Sequence, residues 1–248
     1  MTHRQNRVAR RFLLLERFED QCAIPGCRNP TMRAAGLGLA AFHCRKHVEH
    51  KARHGSNWHG TYSAAELKPY IVAATSYVRL RSESDRFIKK ALSDIALLLE
   101  EAGPTEIATR LKGMSAAKRA RIALARLRVA RIKPERFVAL VLAVTALIEE
   151  DPGSHRVKEF RIVQIAKALH RLASGYHRVW ELPDESGRLR KVSELHAFPR
   201  SSGPVLRLIG KAVEQPCEWV VDKHLSAVLT LKVKRYGRHP ALPKEGPR

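Results

Sequence analysis

The sequence predicts a mainly α-helical protein that carries one short cysteine-rich segment and one β-hairpin. Three observations predict this fold class. Apolar residues recur at helical spacing over most of the chain, most clearly in residues 86–103 and 134–150. Cysteine and histidine fall in two close pairs between residues 22 and 47. Two short runs rich in Val, Trp and Tyr flank a Pro-Asp-Glu-Ser-Gly stretch near 176–192, which is the pattern of a hairpin.

The first segment, 1–21, is predicted to form a helix. Its apolar side chains near helical spacing are Val8, Phe12, Leu15 and Phe18. The apolar run in this segment is short and no small-residue cleavage site follows it, so the segment does not match a signal peptide. We therefore expect a cytoplasmic protein, whose reduced thiols are available to bind a metal.

Residues 61–103 are predicted to form a pair of helices. Ser63 and Glu66 have the capping-box spacing at the start of the first helix. The second helix ends at Gly103 and carries one apolar face. That face consists of Ile88, Ala91, Leu92, Ile95, Leu98 and Leu99. A weak domain boundary is expected over 103–114, where glycine and proline cluster.

Residues 115–240 are predicted to form a basic helical domain. In order, its predicted elements are helices 115–132, 134–150 and 154–175, a hairpin near 176–192, and helices 204–214 and 217–235. Pro134 suits the first turn of a helix, because a backbone N–H at that position would have no hydrogen-bond partner within the helix. Pro216 is predicted to separate the last two helices, because a proline inside a helix removes one hydrogen bond.

The chain is strongly basic: 46 Lys and Arg face 24 Asp and Glu, which gives a formal net charge of +22. Such an excess repels itself unless a polyanion neutralises it, so nucleic acid is the first partner to consider. A solvated basic surface and an anionic membrane are the alternatives. The basic residues recur along the whole chain, which favours nucleic acid. The longest apolar run, Phe137–Ile148, is shorter than the roughly twenty residues of a membrane span, so no membrane segment is predicted.

Cys22, Cys27, Cys44 and His47 have the spacing of a metal site: Cys-x4-Cys, sixteen residues, then Cys-x2-His. Structural zinc takes four thiolate and imidazole ligands in a tetrahedron. The first pair can meet across a turn, and the second pair lies three positions apart, on one side of the first turn of a helix. The sequence therefore predicts a closed, structural Zn²⁺ site in a treble-clef-like or zinc-knuckle-like module over 22–60.

Two further residues bear on this ligand set. His43 competes with His47 because it adjoins Cys44, but adjacent helical positions point in different directions, which favours His47. Cys217 lies far from the other cysteines and is interpreted as a small core residue. The alternative interpretation, three unrelated buried cysteines and a surface histidine, predicts no particular spacing.

The run from Cys22 to Gly55 resembles small treble-clef zinc modules of bacterial phage and mobile-element proteins. The matching residues are Gly36-Leu37, Cys44, His47, Arg53, His54 and Gly55. The resemblance covers about 34 of the 248 residues. Here the segment between the glycine and the third cysteine is longer, and Val48 stands where those modules have an aromatic residue. The resemblance implies a metal-stabilised nucleic-acid-binding element with no enzymatic activity attached.

Candidate nucleic-acid contacts lie on the module and on two later basic helices. They are Arg45, Lys46, Arg53, Trp58, Arg119, Arg126 and Arg161. The aromatic Trp58 either stacks on a base or packs on the module. A basic helix followed by a hairpin with a basic tip is also the element order of a winged helix. We favour a helical domain with a separate hairpin and keep the winged helix as the alternative.

The sequence favours a non-catalytic nucleic-acid-binding protein of a mobile-element or phage-like system, with DNA preferred to RNA. One alternative is a nuclease of the His-Asn-His type, in which a histidine activates water and a metal stabilises the leaving phosphate. Its candidate residues are His43, His54, Asn57 and His59, but the predicted zinc hairpin contains no histidine or carboxylate. The other alternative is a basic interaction or scaffold protein that binds an acidic partner.

Overall fold

A computed structural model describes residues 21–32, 41–106, 113–173, 176–196 and 202–243. The chain divides into two compact units, Met1–Gly60 and Thr61–Arg248. Each unit is considered by itself below. Except for its last residue, the helix predicted in 1–21 lies outside the described residues.

The described part of the chain is mainly helical, which confirms the predicted class. The first unit contains helix α1, Arg45–His54. The second unit contains α2 Ala64–Arg81, α3 Arg86–Glu101, α4 Ala116–Val129, α5 Pro134–Glu150, α6 Lys158–Leu172, strands β1 Tyr176–Pro183 and β2 Leu189–His196, and α7 Gly203–Tyr236. The single sheet among these elements is the antiparallel β1–β2 hairpin.

Several helices begin at the residues that the sequence indicates. Ser63 and Glu66 form the predicted capping box at the start of α2: the Glu66 N–H donates to Ser63 Oγ at 3.2 Å, and the Ser63 N–H donates to Glu66 Oε2 at 2.7 Å. Ser115 caps α4 by accepting a hydrogen bond from the Lys118 N–H at 3.2 Å. Pro134 stands at the start of α5. These caps satisfy backbone N–H groups that lack a partner within the helix.

Helix α5 is the centre of the second unit. All residues from Phe137 to Ile148 are buried, so α5 meets neighbouring side chains around its whole circumference. Helices α2, α3, α6 and α7 pack against it. The buried face of α3 includes four of the six predicted residues, and the other two, Leu92 and Leu98, pack partly buried against the same core.

Helix α7 corrects one prediction, because it runs through Pro216 as a single helix of 34 residues. The side chains on either side of the proline, Val213, Cys217 and Val220, are all buried in the core. Packing along this face holds the two halves in line, and the loss of one hydrogen bond does not separate them.

Helix α6 corrects a second prediction, because it begins at Lys158 and not after Ser154. The Ser154 hydroxyl is used elsewhere: it forms a hydrogen bond with the Tyr62 hydroxyl at 2.9 Å. Tyr62 also donates to Asp151 at 2.9 Å, and the Ser154 N–H donates to the Asp151 carbonyl oxygen at 3.2 Å. These bonds hold a turn between α5 and α6, so the helix starts later than the sequence indicates.

The predicted hairpin is present, and its second strand extends to His196. Its register places Pro183 opposite Leu189. In the connecting loop, Asp184 Oδ1 accepts hydrogen bonds from the backbone N–H groups of Ser186 and Arg188, each at 2.9 Å. Gly187 has φ +77°, a conformation that favours glycine. Residues 181–191 are all exposed.

Candidate metal centre

Four side chains of the first unit converge on one point. The possible ligand atoms of Cys22, Cys27, Cys44 and His47 all lie within 4.8 Å of one another. His47 Nδ1 is 3.1 Å from Cys22 Sγ and 3.3 Å from Cys44 Sγ, and Cys27 Sγ is 3.8 Å from Cys44 Sγ. Over the described residues, this is the one group of three or more His, Cys, Asp or Glu side chains with that geometry. His43 is not a member of it.

A turn positions the first cysteine pair. The Cys27 N–H donates to the Ile24 carbonyl oxygen at 3.0 Å, and Gly26 supplies a left-handed conformation with φ +78°. The Cys22 N–H donates to the Asn29 carbonyl oxygen at 3.0 Å. The chain therefore folds back within eight residues, and both thiols reach the same side.

The start of α1 positions the second pair. Cys44 is the N-cap residue of the helix, and the His47 N–H donates to its carbonyl oxygen at 3.0 Å. Two backbone bonds join this corner to the first pair: the Ala23 N–H donates to Phe42 O at 2.8 Å, and the Met32 N–H donates to His43 O at 3.1 Å. The spacing of three positions thus places both ligand atoms at the N-terminus of α1.

The thiols of Cys44 and Cys27 have different electrostatic environments. Burial raises the pKa of Cys44, but hydrogen bonds from the His47 backbone and the Asn29 amide outweigh it, so the pKa lies below its ordinary value. The Asn29 backbone lowers the pKa of Cys27, while burial and the neighbouring thiols raise it and prevail. Cysteine binds a metal as the thiolate, so a bound cation would displace any thiol protons of the group.

The histidine is suited to donate a lone pair. Burial, followed by the charge of Lys46 and by His50, lowers the pKa of His47 below its ordinary value. The neutral imidazole is the form that binds metals, and Nδ1 is the nitrogen that faces the sulfurs. Asn29 contributes a further contact that its sequence position did not indicate: its amide Nδ2 lies 3.8 Å from Cys44 Sγ.

The distances agree with a tetrahedral ion. Sulfur at about 2.3 Å and nitrogen at about 2.0 Å from a tetrahedral centre lie about 3.8 Å apart as two sulfurs and about 3.5 Å apart as sulfur and nitrogen. The sulfur–sulfur distance of 3.8 Å matches, and the sulfur–nitrogen distances of 3.1 and 3.3 Å are slightly shorter. The group is therefore compatible with a metal site.

Helix α1 carries three of the predicted nucleic-acid contacts. Arg45 Nε lies 2.9 Å from Glu49 Oε1, and Arg53 Nη2 lies 3.2 Å from Glu49 Oε2. Both arginine side chains remain mostly exposed, at 81% and 70%. Arg45, and then Arg53, lower the pKa of Glu49. Lys46 is exposed and forms no ion pair with any described residue. The spacing of four residues on either side of Glu49 would have revealed this pairing.

Trp58 follows a buried turn at the end of the module. Ser56 and Asn57 are buried, and Ser56 Oγ accepts hydrogen bonds from the N–H groups of Trp58 at 3.3 Å and His59 at 3.0 Å. The Trp58 side chain is 49% exposed. His50 Nδ1 donates to the Ser56 carbonyl oxygen at 2.8 Å. Trp58 is therefore about half exposed at the end of this turn.

The three predicted contacts of the second unit have different surroundings. Arg119 is half-buried and forms no ion pair within the described residues. Arg126 is only 6% exposed and donates to the Glu106 carbonyl oxygen at 3.0 Å. Arg161 lies 2.6 Å from Glu214, a buried residue of α7. The three arginines therefore differ in exposure and in the groups that they contact.

Comparisons with protein-family models, with curated proteins and with solved structures each found no match to this chain. Across the described ranges, no helix combines the length and the apolarity that crossing a bilayer requires.

Proposed function

We propose that Cys22, Cys27, Cys44 and His47 bind one Zn²⁺ in a closed structural site, and that this treble-clef-like module binds nucleic acid. DNA is the proposed partner, before RNA, in a cytoplasmic mobile-element or phage-like system, and the role is non-catalytic. The observation that carries the proposal is a four-ligand group at the start of an exposed basic helix.

The small core of the module supports a metal. Among its described residues, Cys22 and Cys44 are the only buried hydrophobic side chains. So little apolar burial cannot offset the entropy of ordering the chain. Zinc binding supplies folding free energy on the order of 10 kcal/mol, which is sufficient. Four protein ligands would leave no open coordination position, so the ion is structural.

The charge of the module supports nucleic acid. Its described residues include five Lys and Arg and one carboxylate. The basic residues are Arg28, Arg45, Lys46, Lys51 and Arg53. The single carboxylate, Glu49, lies between two arginines and leaves both mostly exposed. Phosphate contacts of this kind provide affinity that falls steeply with salt.

The order of helix and hairpin in the second unit also supports nucleic-acid binding. Helix α6 is followed directly by the β1–β2 hairpin, as in a winged helix. The loop and the start of β2 expose Arg188, Arg190 and Lys191. We keep the winged-helix arrangement as a proposal for how this hairpin meets phosphate.

Metal content tests the site. Mass spectrometry of purified wild type is expected to find one zinc per chain, and Cys44→Ser is expected to lose it. Cys217→Ala is the matched control, because Cys217 lies outside the group and is buried in the helical core. Protein purified without chelator that holds no zinc, or Cys44→Ser that retains wild-type zinc, would remove the metal from the proposal.

Binding to a duplex oligonucleotide across a salt series tests the partner. The variant Arg45→Gln/Lys46→Gln is expected to bind more weakly and to show a shallower salt dependence than wild type, because each phosphate contact contributes about 0.9 to the slope. Cleavage of the duplex in the presence of Mg²⁺ would indicate the nuclease. Tighter binding to polyglutamate than to DNA would indicate an acidic protein partner.

A further inference from the structure

A second group of basic side chains lies on α2, at the start of α5 and in the turn before α5. Arg136 Nη1 donates to Thr75 Oγ1 at 3.3 Å, which places the start of α5 beside the last turns of α2. Arg79 is one turn beyond Thr75 on α2, and it is exposed. Exposed Arg131 and Lys133 lie in the turn just before Arg136. We call Arg79, Arg131, Lys133 and Arg136 the α2–α5 basic patch.

The charges of this patch are not neutralised by carboxylates. None of its four residues forms an ion pair with a residue that the structure describes. Residues 107–134 contain nine Lys and Arg and no Asp or Glu. The next acidic residue, Glu135, has its Oε2 atom buried.

Between α6 and α7, by contrast, three basic side chains are paired with carboxylates. Lys158 lies 3.1 Å from Glu218, Arg161 lies 2.6 Å from Glu214, and Arg207 also contacts a carboxylate. The chain thus uses carboxylates to neutralise its cations between α6 and α7, and leaves the α2–α5 basic patch without them. An unneutralised group of like charges destabilises the fold unless a polyanion covers it.

The backbone at Arg131 allows a test of the patch. Arg131 has φ +54°, and it is the only non-glycine residue with positive φ among the described residues. The left-handed conformation costs an L-residue roughly 1 kcal/mol, and glycine avoids this cost. Folding alone therefore favours glycine here. Glycine at this position would therefore remove the side chain and relieve the backbone at the same time.

We infer that the α2–α5 basic patch binds the phosphate backbone of the nucleic acid, an inference that rests on the proposed function and assigns it a second contact surface. Three of the four side chains are guanidinium groups, whose planar fork fits two phosphate oxygens at once. The patch contains no aromatic ring and no amide that reads bases. It therefore positions the nucleic acid without selecting its sequence.

The variant Arg131→Gly separates binding from folding. Glycine relieves the left-handed backbone, so the melting temperature is expected to equal or exceed that of wild type, while the affinity for a duplex oligonucleotide falls several-fold. The slope of log affinity against log salt is expected to become shallower by about 0.9. Arg131→Lys is the matched control and is expected to keep the wild-type salt slope, because it retains the cation.

A triple variant tests the patch as a unit. Arg79→Gln/Arg131→Gln/Lys133→Gln is expected to make the salt slope shallower by about 2.7, which corresponds to three phosphate contacts. The control Lys68→Gln/Lys89→Gln/Lys223→Gln removes three exposed cations outside the patch. It lowers the net charge equally and is expected to keep the wild-type slope.

The outcomes distinguish this inference from the proposed function. If wild type binds the duplex and the two triple variants have equal slopes of log affinity against log salt, the assignment of phosphate binding to the patch is overturned. The proposed function would stand. No nucleic-acid binding by wild type would overturn both. Tighter binding to polyglutamate, lost in the patch triple variant, would assign the patch to an acidic protein and overturn the phosphate assignment.

Discussion

At the scale of single residues, Arg128 has the role that the sequence predicts least well. Its Nη1 donates to the carbonyl oxygens of Leu99 at 3.1 Å and Glu100 at 3.0 Å, and its Nη2 donates to Gly103 O at 2.6 Å. These carbonyls end α3, whose last turn contains no basic residue of its own. A cation from α4 therefore caps the C-terminus of α3 and offsets its helix dipole.

Replacing Arg128 by alanine is expected to lower the free energy of unfolding by about 2 kcal/mol, because three carbonyl oxygens lose a charged donor. Urea unfolding followed by circular dichroism would measure the change. Arg119→Ala, on the same helix, is the control and is expected to stay within about 0.5 kcal/mol of wild type. Equal stability of the two variants would show that water replaces the cap.

Residue-level prediction succeeded where spacing decides the outcome. Cys22, Cys27, Cys44 and His47 come together because a turn and the first turn of a helix each fix one pair locally. Prediction did not extend to Arg126 and Arg128, whose long side chains end on backbone carbonyls 20 to 29 residues earlier in the chain. Where those carbonyls lie depends on how α3 and α4 pack.

At the scale of elements, the contact between α6 and α7 depends on one small residue. A Cβ atom at Gly210 would lie 2.2 Å from the Ile162 carbonyl oxygen and 2.6 Å from its Cγ2 atom. Backbone oxygen cannot move aside as a flexible side chain can. Glycine is therefore required for the two helices to approach this closely.

Gly210→Ala is expected to destabilise the protein by about 2 kcal/mol or more, although alanine favours helix formation, because overpacking forces the two helices apart. Thermal and urea unfolding would measure the loss. Lys211→Ala alters the adjacent, exposed position and is expected to change stability little. A variant Gly210→Ala as stable as wild type would contradict the close approach.

Helix α7 shows how packing overrides a local signal. Proline within a helix predicted a break at Pro216, yet the buried side chains before and after it lie on one continuous face. Helix α5 shows the opposite case, since its start, its end and its apolar run all agree with the sequence. A helix that is apolar on every side must be buried on every side, so its place in the core follows from its sequence.

At the scale of the whole molecule, the net charge of +22 is the dominant electrostatic feature. The basic residues outnumber the acidic ones by 46 to 24, so even complete pairing of the acidic residues would leave the whole excess of +22. Repulsion among these cations opposes the compact state at low ionic strength. Salt screens such repulsion over distances of about 10 Å at 0.1 M.

Raising NaCl from about 50 to about 300 mM is therefore expected to stabilise the protein, because screening reduces the repulsion more than it weakens the few ion pairs. Urea, which carries no charge, is the suitable denaturant, and the free energy of unfolding is expected to rise by on the order of 1 kcal/mol. A midpoint that falls with salt would show that the ion pairs between α6 and α7 dominate.

The sequence by itself determined the helical class, the clustering of Cys22, Cys27, Cys44 and His47, the capping box of α2 and the hairpin. Each of these follows from spacing within one turn, one helix face or one short loop. The tertiary structure decided which arginines are buried, that α7 continues through Pro216, and where Arg136 meets α2. Those outcomes depend on residues far apart in the chain. The partners of long side chains and of helix faces are fixed only when the helices pack together.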